Sequence, residues 1–434
     1  MRVCEVIDGL DGGAAETLLV KRLLRAQRDH VRYTVVCLRA GRHLGRLRAA
    51  GVRVVDLSRL PGPLRRLGLA VAVRRSAPDV VNVHSPGLAV LVRLLTRLPG
   101  RRARLVRTVH SAAYRPVTRL LDRLTRRFDD RTVAVSPIVA ESATLRGAPH
   151  VLVRVPGVDV VEQRRRASHA ARVRHGLGLP PEAFLLVCAA DLRPVQNHIL
   201  LVEAAAQVLR RRPDAMFLLA GDGPLRPRIE HEVRVRGLAD RVRLLGRVAE
   251  AGRVIAAADL LVLASRYETL PVSIMEALAA GVPVVAPAVG GIPNLIESGR
   301  NGILTAPGRA DALAACIVRA MDPSVHALLR AGAAATPITD IAETAEWFDR
   351  LYHRLAGRPS AAEATTVAGP IADAGGPVGV RTALIDGTGH TRAGMDGVIV
   401  DLTSGGVRVS TSARRGTTGV DPAETRQPGA AGRR

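Results

Sequence analysis

The chain has 434 residues, 47% hydrophobic and 24% charged, a globular balance with room for two or three domains and their cores. Aromatic residues make up only 2%, which excludes the base-stacking platforms of single-strand nucleic-acid readers. The formal net charge is +24, and residues 1–165 hold 32 Lys/Arg against 13 Asp/Glu; that concentration points to an anionic partner, a membrane leaflet, a phosphorylated lipid or a nucleic acid.

Met1–Ile7 is a short β-type run, followed by the Gly-rich turn Gly9–Gly13. Leu18, Leu19, Leu23 and Leu24 then fall on one side of a helix, with Lys21, Arg22 and Arg25 on the other. Lys21 is the only lysine in the chain. Further strands are predicted at Tyr33–Leu38, Val52–Leu57, Val80–His84, Leu105–His110 and Thr132–Ser136. Most are continuous apolar runs with helix-length segments between them, the signature of a parallel sheet covered on both faces.

The polar, Arg-rich stretch Glu162–Leu179 reads as a linker, after which the alternation restarts. Strands are expected at Phe184–Ala189, Ala215–Ala220, Val242–Leu245, Leu260–Leu263 and Val282–Ala286. Helices fit Leu200–Arg211, Leu225–Arg236, Val272–Ala280 and Ala310–Met321, and Ile341–Leu355 has the spacing of a closing helix. Residues 357–434 hold 15 Gly, 5 Pro and no aromatic, which predicts a largely disordered tail where only short runs such as Gly397–Leu402 pair weakly. The fold class is therefore α/β. Two Rossmann-like doubly wound parallel-sheet domains, 1–165 and 175–340, precede a C-terminal helix at 341–356 and the tail.

Cys4, Cys37, Cys188 and Cys316 are far apart without paired or zinc-type spacing, so buried thiols in a reducing compartment are expected. Glu5, Asp8 and Asp11 interrupt the apolar run that a signal peptide needs. The longest apolar stretch, 277–293, is broken by Pro283, Pro287 and Pro293. A cytoplasmic protein, soluble or peripheral at the membrane, is the expectation.

The most informative segment runs from Ser265 to Val285. It places Glu268 in the loop after a strand and Glu276 eight positions on, two turns into the next helix. Open α/β sheets bind ligands at strand C-terminal ends, where helix N-termini offer free N–H groups to anions. Carboxylates beside such a phosphate site accept hydrogen bonds from sugar hydroxyls. One can serve a nucleotide ribose and the other a transferred sugar.

With its flanking motifs, this segment resembles the retaining glycosyltransferases of family 4 (glycosyl transferases group 1), which have the GT-B fold of two Rossmann-like domains facing a cleft. The resemblance spans about residues 1–356. It rests on Gly12-Gly13-Ala-Ala-Glu16, Thr108-Val-His110-Ser111, Val155–Asp159, Ala220–Pro224, Ala258-Asp259, the Glu268–Glu276 pair, Gly281–Val285, Gly290–Pro293 and Asn301-Gly302, in family order. It implies an acceptor-binding N-terminal domain and a nucleotide-sugar-binding C-terminal one. Glu276 is then the ribose carboxylate and Glu268 the carboxylate facing the donor sugar. Thr269, Leu270 and Pro271 form the phosphate- and sugar-contacting loop, with Pro271 where glycine is common. Gly12 and Gly13 approach the donor phosphate, His110 lines the sugar pocket, and Gly221 lies near the nucleotide or forms only a turn.

Where the family usually places Arg and Lys against the diphosphate, this chain has Asp191 and Gln196. Arg193 and His198 are the nearby residues able to compensate. Because lost cations weaken leaving-group stabilisation, a catalytically degenerate scaffold or regulatory partner stands beside the enzyme reading. The resemblance implies transfer of a hexosyl group from a nucleoside-diphosphate sugar, a co-substrate and not a cofactor, to a glycan or lipid-linked acceptor. It implies no metal. The basic clusters Arg65-Arg66, Arg74-Arg75, Arg101–Arg104 and the amphipathic Arg119–Arg127 are expected to meet an anionic membrane surface, and no nucleic-acid partner is expected. Gly9-x-x-Gly12-Gly13 does not fit the dinucleotide fingerprint of dehydrogenases.

Overall fold

The structure, a computed structural model, describes residues 1–11, 13–26, 30–96, 103–112 and 114–357, and the backbone of 394–395, 398–403 and 406–411. Gly12, Arg101 and Arg102 lie outside the described residues, as does most of the expected tail. Two compact units are present, Met1–Gly375 and Gly376–Arg434.

The larger unit contains two parallel sheets. The first has seven strands, β1 (Arg2–Gly9), β2 (Arg32–Arg39), β3 (Arg53–Asp56), β4 (Val80–Val83), β5 (Arg104–Val109), β6 (Arg131–Ala134) and β7 (Val151–Val153), in the order 3-2-1-4-5-6-7. The second has six, β8 (Phe184–Ala189), β9 (Ala215–Ala220), β10 (Val242–Gly246), β11 (Leu260–Val262), β12 (Val284–Pro287) and β13 (Gly302–Thr305), in the order 10-9-8-11-12-13. Chain direction across each sheet reverses between β1 and β4 and between β8 and β11. Those are the switch points where doubly wound sheets open a crevice.

Apolar runs form these strands because both faces are covered. Val3 and Ile7 of β1 pack with Leu19 and Leu23 of the helix Ala14–Arg25, while Cys4 and Val6 pack with Leu69 and Val92 on the other face. The second sheet builds the largest core, with Leu185, Leu218, Leu261 and Val285 among its buried residues. β7 and β13 were not predicted; each is a three- or four-residue edge strand, too short to show a periodicity.

The expected linker is helical. Helices at Val160–Ala167 and Ala170–Gly176 occupy it, the first capped by Asp159, whose side chain accepts from the Glu162 N–H. Its arginines hold it by side-chain pairing, Arg165 and Arg166 to Glu162 and Arg166 to Glu250. The chain crosses between lobes twice, and the crossings are joined. Val158 N–H donates to Thr339 and Ile341 N–H donates to Val158. Gly157 is needed here because a Cβ would fall 2.4 Å from the Asp340 carbonyl carbon.

The second crossing delivers the helix Ile341–Leu355 back to the first lobe, where Ala345, Phe348 and Tyr352 join the core of β1. Glu5 of β1 is wholly buried there. Arg22 Nη2 donates to its Oε1 at 2.5 Å, the Tyr352 hydroxyl donates to the same oxygen at 2.9 Å, and His84 Nε2 lies 2.8 Å from Oε2. Arg22 also lies over the Phe348 ring at 4.2 Å, and Asn82 Nδ2 donates to the Tyr352 hydroxyl at 2.8 Å. Burial alone would raise the Glu5 carboxyl. The Arg22 charge and the bonds from His84 and Arg22 overrule it and hold the group at about 2.

In the smaller unit, β14 (Gly394–Met395), β15 (Val398–Thr403) and β16 (Gly406–Thr411) form an antiparallel sheet with Val400 opposite Val409. β15 overlaps the run Gly397–Leu402 expected to pair within the tail, and the Val-Ile-Val and Val-Arg-Val runs have the β-branched content that favours strands.

The depressed Glu5 carboxyl gives stability that is present above its unfolded value near 4.5 and lost as pH falls towards about 2. Glu5→Gln removes that acid-dependent component and leaves Arg22 buried without its counter-charge. The expected cost is about 3–5 kcal/mol at neutral pH, read from urea unfolding midpoints across pH 2–7.

Candidate functional site

The two switch points open onto one cleft. From the first lobe, the loop after β1 brings Gly13, His84 follows β4, and His110 follows β5. From the second, Gln196 follows β8, Ser265 and Glu268 follow β11, and Gly290 follows β12.

Gly13 caps the helix Ala14–Arg25, and its N–H is taken by the Glu16 side chain. The preceding loop is braced by Gly41, where a Cβ would sit 2.1 Å from the Leu10 carbonyl carbon. Sequence reading passed over Gly41 because the close approach is made by residues 31 positions apart. His110 is half-buried. Its Nε2 lies 3.0 Å from His84 Nδ1, and its backbone carbonyl accepts from Thr269 Oγ1 at 3.3 Å across the cleft. Burial above all, with the Arg22 charge, pushes its ring down to about 3, so it is neutral at physiological pH.

In the second lobe, Ser265 Oγ stands 2.6 Å from Gln196 Oε1 and 3.0 Å from Glu268 Oε1. Gln196, in the slot where a phosphate-binding lysine was expected, therefore helps to hold Glu268. Burial raises the Glu268 carboxyl above the ordinary range, opposed by the hydrogen bonds from Gln196 and Ser265. Gly290 and Gly291 wrap the Glu268 backbone, and Gly291 N–H donates to the Glu268 carbonyl at 2.8 Å. Leu270 packs against Val109 and Val139 of the first lobe. Pro271 precedes the helix Val272–Ala279, and its carbonyl accepts from Ile274.

Glu276 is buried, 7% exposed, within that helix. Lys21 Nζ reaches across from the first lobe to its Oε1 at 2.5 Å. Sequence reading marked Lys21 only for its rarity; the contact spans 255 positions and has no local signal. This ammonium is a first-lobe cation that meets a second-lobe carboxylate, as Arg46 does with Glu250 at 3.9 Å.

Other assigned residues fall elsewhere. Arg193 is 65% exposed and lies 3.6 Å from Asp191, so the two largely offset each other at the rim. His198 is fully buried, beside Cys188 Sγ at 3.7 Å, and is corrected from a compensating cation to a core residue. Burial drives its ring down to about 4. Gly221 packs on the β8 loop, where a Cβ would meet the Ala190 carbonyl at 1.9 Å. That contact fixes the Asp191 loop and explains the glycine by shape.

Residues 15–162 match the family model described as Glycosyltransferase Family 4, and residues 183–322 match Glycosyl transferases group 1. The alpha-D-kanosaminyltransferase of Streptomyces kanamyceticus is 36% identical over 182 residues, 41% of this chain and 46% of that protein; the chain thus spans about half of that relative. The 2-deoxystreptamine glucosyltransferase of the same organism is 30% identical over 338 residues, covering 71% of this chain and 85% of that protein. The crystal structure of Anabaena HepE in complex with UDP and glucose shares the fold, with a TM-score of 0.70 at 23% identity over 82% of this chain and 100% of that one.

Gly290 has φ +53, and a Cβ there would lie 1.9 Å from the Glu268 carbonyl oxygen. Gly290→Ala is expected to cost more than about 2 kcal/mol in urea unfolding and to displace Glu268. Gly299→Ala, at φ +89 with open space around it, serves as the control that carries backbone strain alone.

Proposed function

This chain belongs to glycosyltransferase family 4, and on that premise we propose that it is a retaining enzyme moving a sugar from a nucleoside-diphosphate sugar to a hydroxyl of a glycan or lipid-linked acceptor. The observation that carries this reading is the meeting of Glu268 and Glu276, on one loop–helix unit of the second lobe, with the His110 region of the first lobe through Thr269. Glu276 takes the ribose hydroxyls, exchanging the Lys21 ammonium for them. Glu268 and His110 take hydroxyls of the sugar. The bond from the anomeric carbon to the diphosphate breaks, and the acceptor oxygen joins that carbon on the same face. The acceptor's proton leaves with the departing phosphate oxygen. Positioning and charge stabilisation supply the rate, with no covalent protein nucleophile.

The departing charge is met by the N–H groups that start the helix at Ala14, and by Lys21 released from Glu276. No metal takes part in this reading, and transfer is expected to proceed at the same rate in EDTA. Calorimetry with UDP, GDP and their sugar conjugates tests the donor site; UDP comes first because HepE holds it. Micromolar binding lost in Glu276→Ala supports the enzyme. Silence across these and the ADP, TDP and CDP series would favour the degenerate scaffold.

A membrane-facing role is supported by one face of the first lobe. Helices Gly62–Ser76, Pro86–Thr96 and Pro116–Thr125 lie side by side there. Asp122 is the buried residue of Pro116–Thr125, taken by Arg93 at 2.9 Å and Arg107 at 3.0 Å, while Val117, Leu120, Leu121 and Leu124 point outward. Leu64, Leu67, Val71 and Leu94 are exposed on the neighbouring helices. Exposed Arg66, Arg74, Arg75, Arg115, Arg119, Arg123 and Arg127 flank these apolar residues. An apolar face fringed by arginines suits an anionic leaflet, which supports the reading of a protein working at the cytoplasmic membrane face on a lipid-linked acceptor. No single helix among the described residues is long and apolar enough to cross a membrane.

The full chain is therefore expected to sediment with phosphatidylserine vesicles at low salt and much less with phosphatidylcholine. The double variant Leu120→Ser, Leu124→Ser should weaken partitioning at least about tenfold while leaving nucleotide binding unchanged. Failure of the unaltered chain to sediment would remove the membrane role.

A further inference from the structure

A line of three side chains runs from the core of the first lobe to the cleft. Glu5 Oε2 lies 2.8 Å from His84 Nε2, and His84 Nδ1 lies 3.0 Å from His110 Nε2. The two rings are tilted by 31° with centroids 5.3 Å apart. The other Glu5 oxygen is occupied by Arg22 and Tyr352, so the carboxylate cannot turn away. Asn82 is fixed too, donating to Tyr352 and accepting from the Thr108 hydroxyl at 2.9 Å.

Each bond in this line has a direction. A carboxylate only accepts, so the proton on His84 sits at Nε2. Arg22 already compensates the Glu5 charge, and a protonated His84 would add a second buried cation without a counter-charge. A neutral imidazole carries one proton, which leaves His84 Nδ1 as a lone pair. His110 Nε2 must then donate, and its own Nδ1 is left as an acceptor.

We infer that Glu5 and His84 are positioning residues that fix His110 as the Nε2–H tautomer, so that its Nδ1 accepts from a hydroxyl of the donor sugar. The sugar-binding half rests on the function proposed above; the tautomer half stands on the chain alone. The inference gives the pocket a sign. It favours sugars that present a hydroxyl to His110 over deoxy or O-methyl analogues, because a buried acceptor left unpaired is costly.

The full chain labelled with 15N-histidine tests this by long-range proton–nitrogen correlation spectra, with His110 assigned by its absence in His110→Asn. The expected result is Nε2–H at His110 in the unaltered chain. His84→Gln should keep it, since the amide can donate to Glu5 and accept from His110. His84→Leu should release His110 to a tautomer mixture. Calorimetry runs beside the spectra. The gain in affinity of UDP-glucose over UDP should fall at least about tenfold in His84→Leu and be retained in His84→Gln, with UDP itself unchanged. An Nδ1–H His110 in the unaltered chain, or a tautomer indifferent to His84→Leu, overturns the inference. Absent binding of both UDP and UDP-glucose to the unaltered chain would count against the proposed donor, while the spectra would still decide the relay.

Discussion

A carboxylate at the centre of a sheet is the constraint around which the first lobe is arranged. Glu5 has no exposure, and an ionised group so placed costs several kcal/mol unless its charge and both oxygens are satisfied. The satisfying groups come from three separate segments. Arg22 comes from the helix after β1, His84 from the end of β4, Tyr352 from the last helix, and Asn82 supports Tyr352 from within β4. Packing alone would let these elements shift against one another. A charge that must find all its partners sets one arrangement, and it places the cleft histidine at the network's edge.

The cleft itself is assembled by pairs in which one member is chemical and the other structural. Glu268 is held by Ser265 and by the Gly290–Gly291 turn, Glu276 meets Lys21, and the Leu10 loop is braced by Gly41. The substitution of Gln196 for an expected lysine acquires a positive meaning in this setting. Its amide sits against Ser265, so the loop loses a cation and gains a fixed carboxylate. Lys21 stands on the opposite lobe, so a cation reaches Glu276 from across the cleft.

Much of this was legible along the chain, for definite reasons. Phe184–Ala189 and Ala215–Ala220 were read to the residue because an all-apolar run bounded by polar turns has one interpretation. Ile341–Leu355 was read because Ile341, Ala345, Phe348 and Tyr352 keep helical spacing over three turns. Glu268, Glu276 and His110 were legible through motifs. What escaped was long-range. Glu5 looked like an interruption in an apolar strand, and nothing near it in sequence announces His84 or Tyr352. His198 looked like a cleft residue by proximity to Gln196, but the first turn of its helix aims it at Cys188 in the core. The helices in Glu162–Leu179 escaped because they are held by arginine pairs and a cap, leaving little apolar stripe to detect.

The return of Ile341–Leu355 to the first lobe also sets a timetable for synthesis. Tyr352 and Glu5 are 347 positions apart. At translation rates of roughly 5–20 residues per second, β1 waits on the order of 20–70 s for the hydroxyl that completes its carboxylate. Throughout that interval the whole second lobe emerges and can close on its own core. The first lobe, begun earlier, is finished last, with the surface awaiting Phe348 open to chaperones in the meantime. The order of folding is thereby reversed from the order of the chain, and a ribosome that stops short of residue 352 releases a protein whose beginning, more than its end, is incomplete.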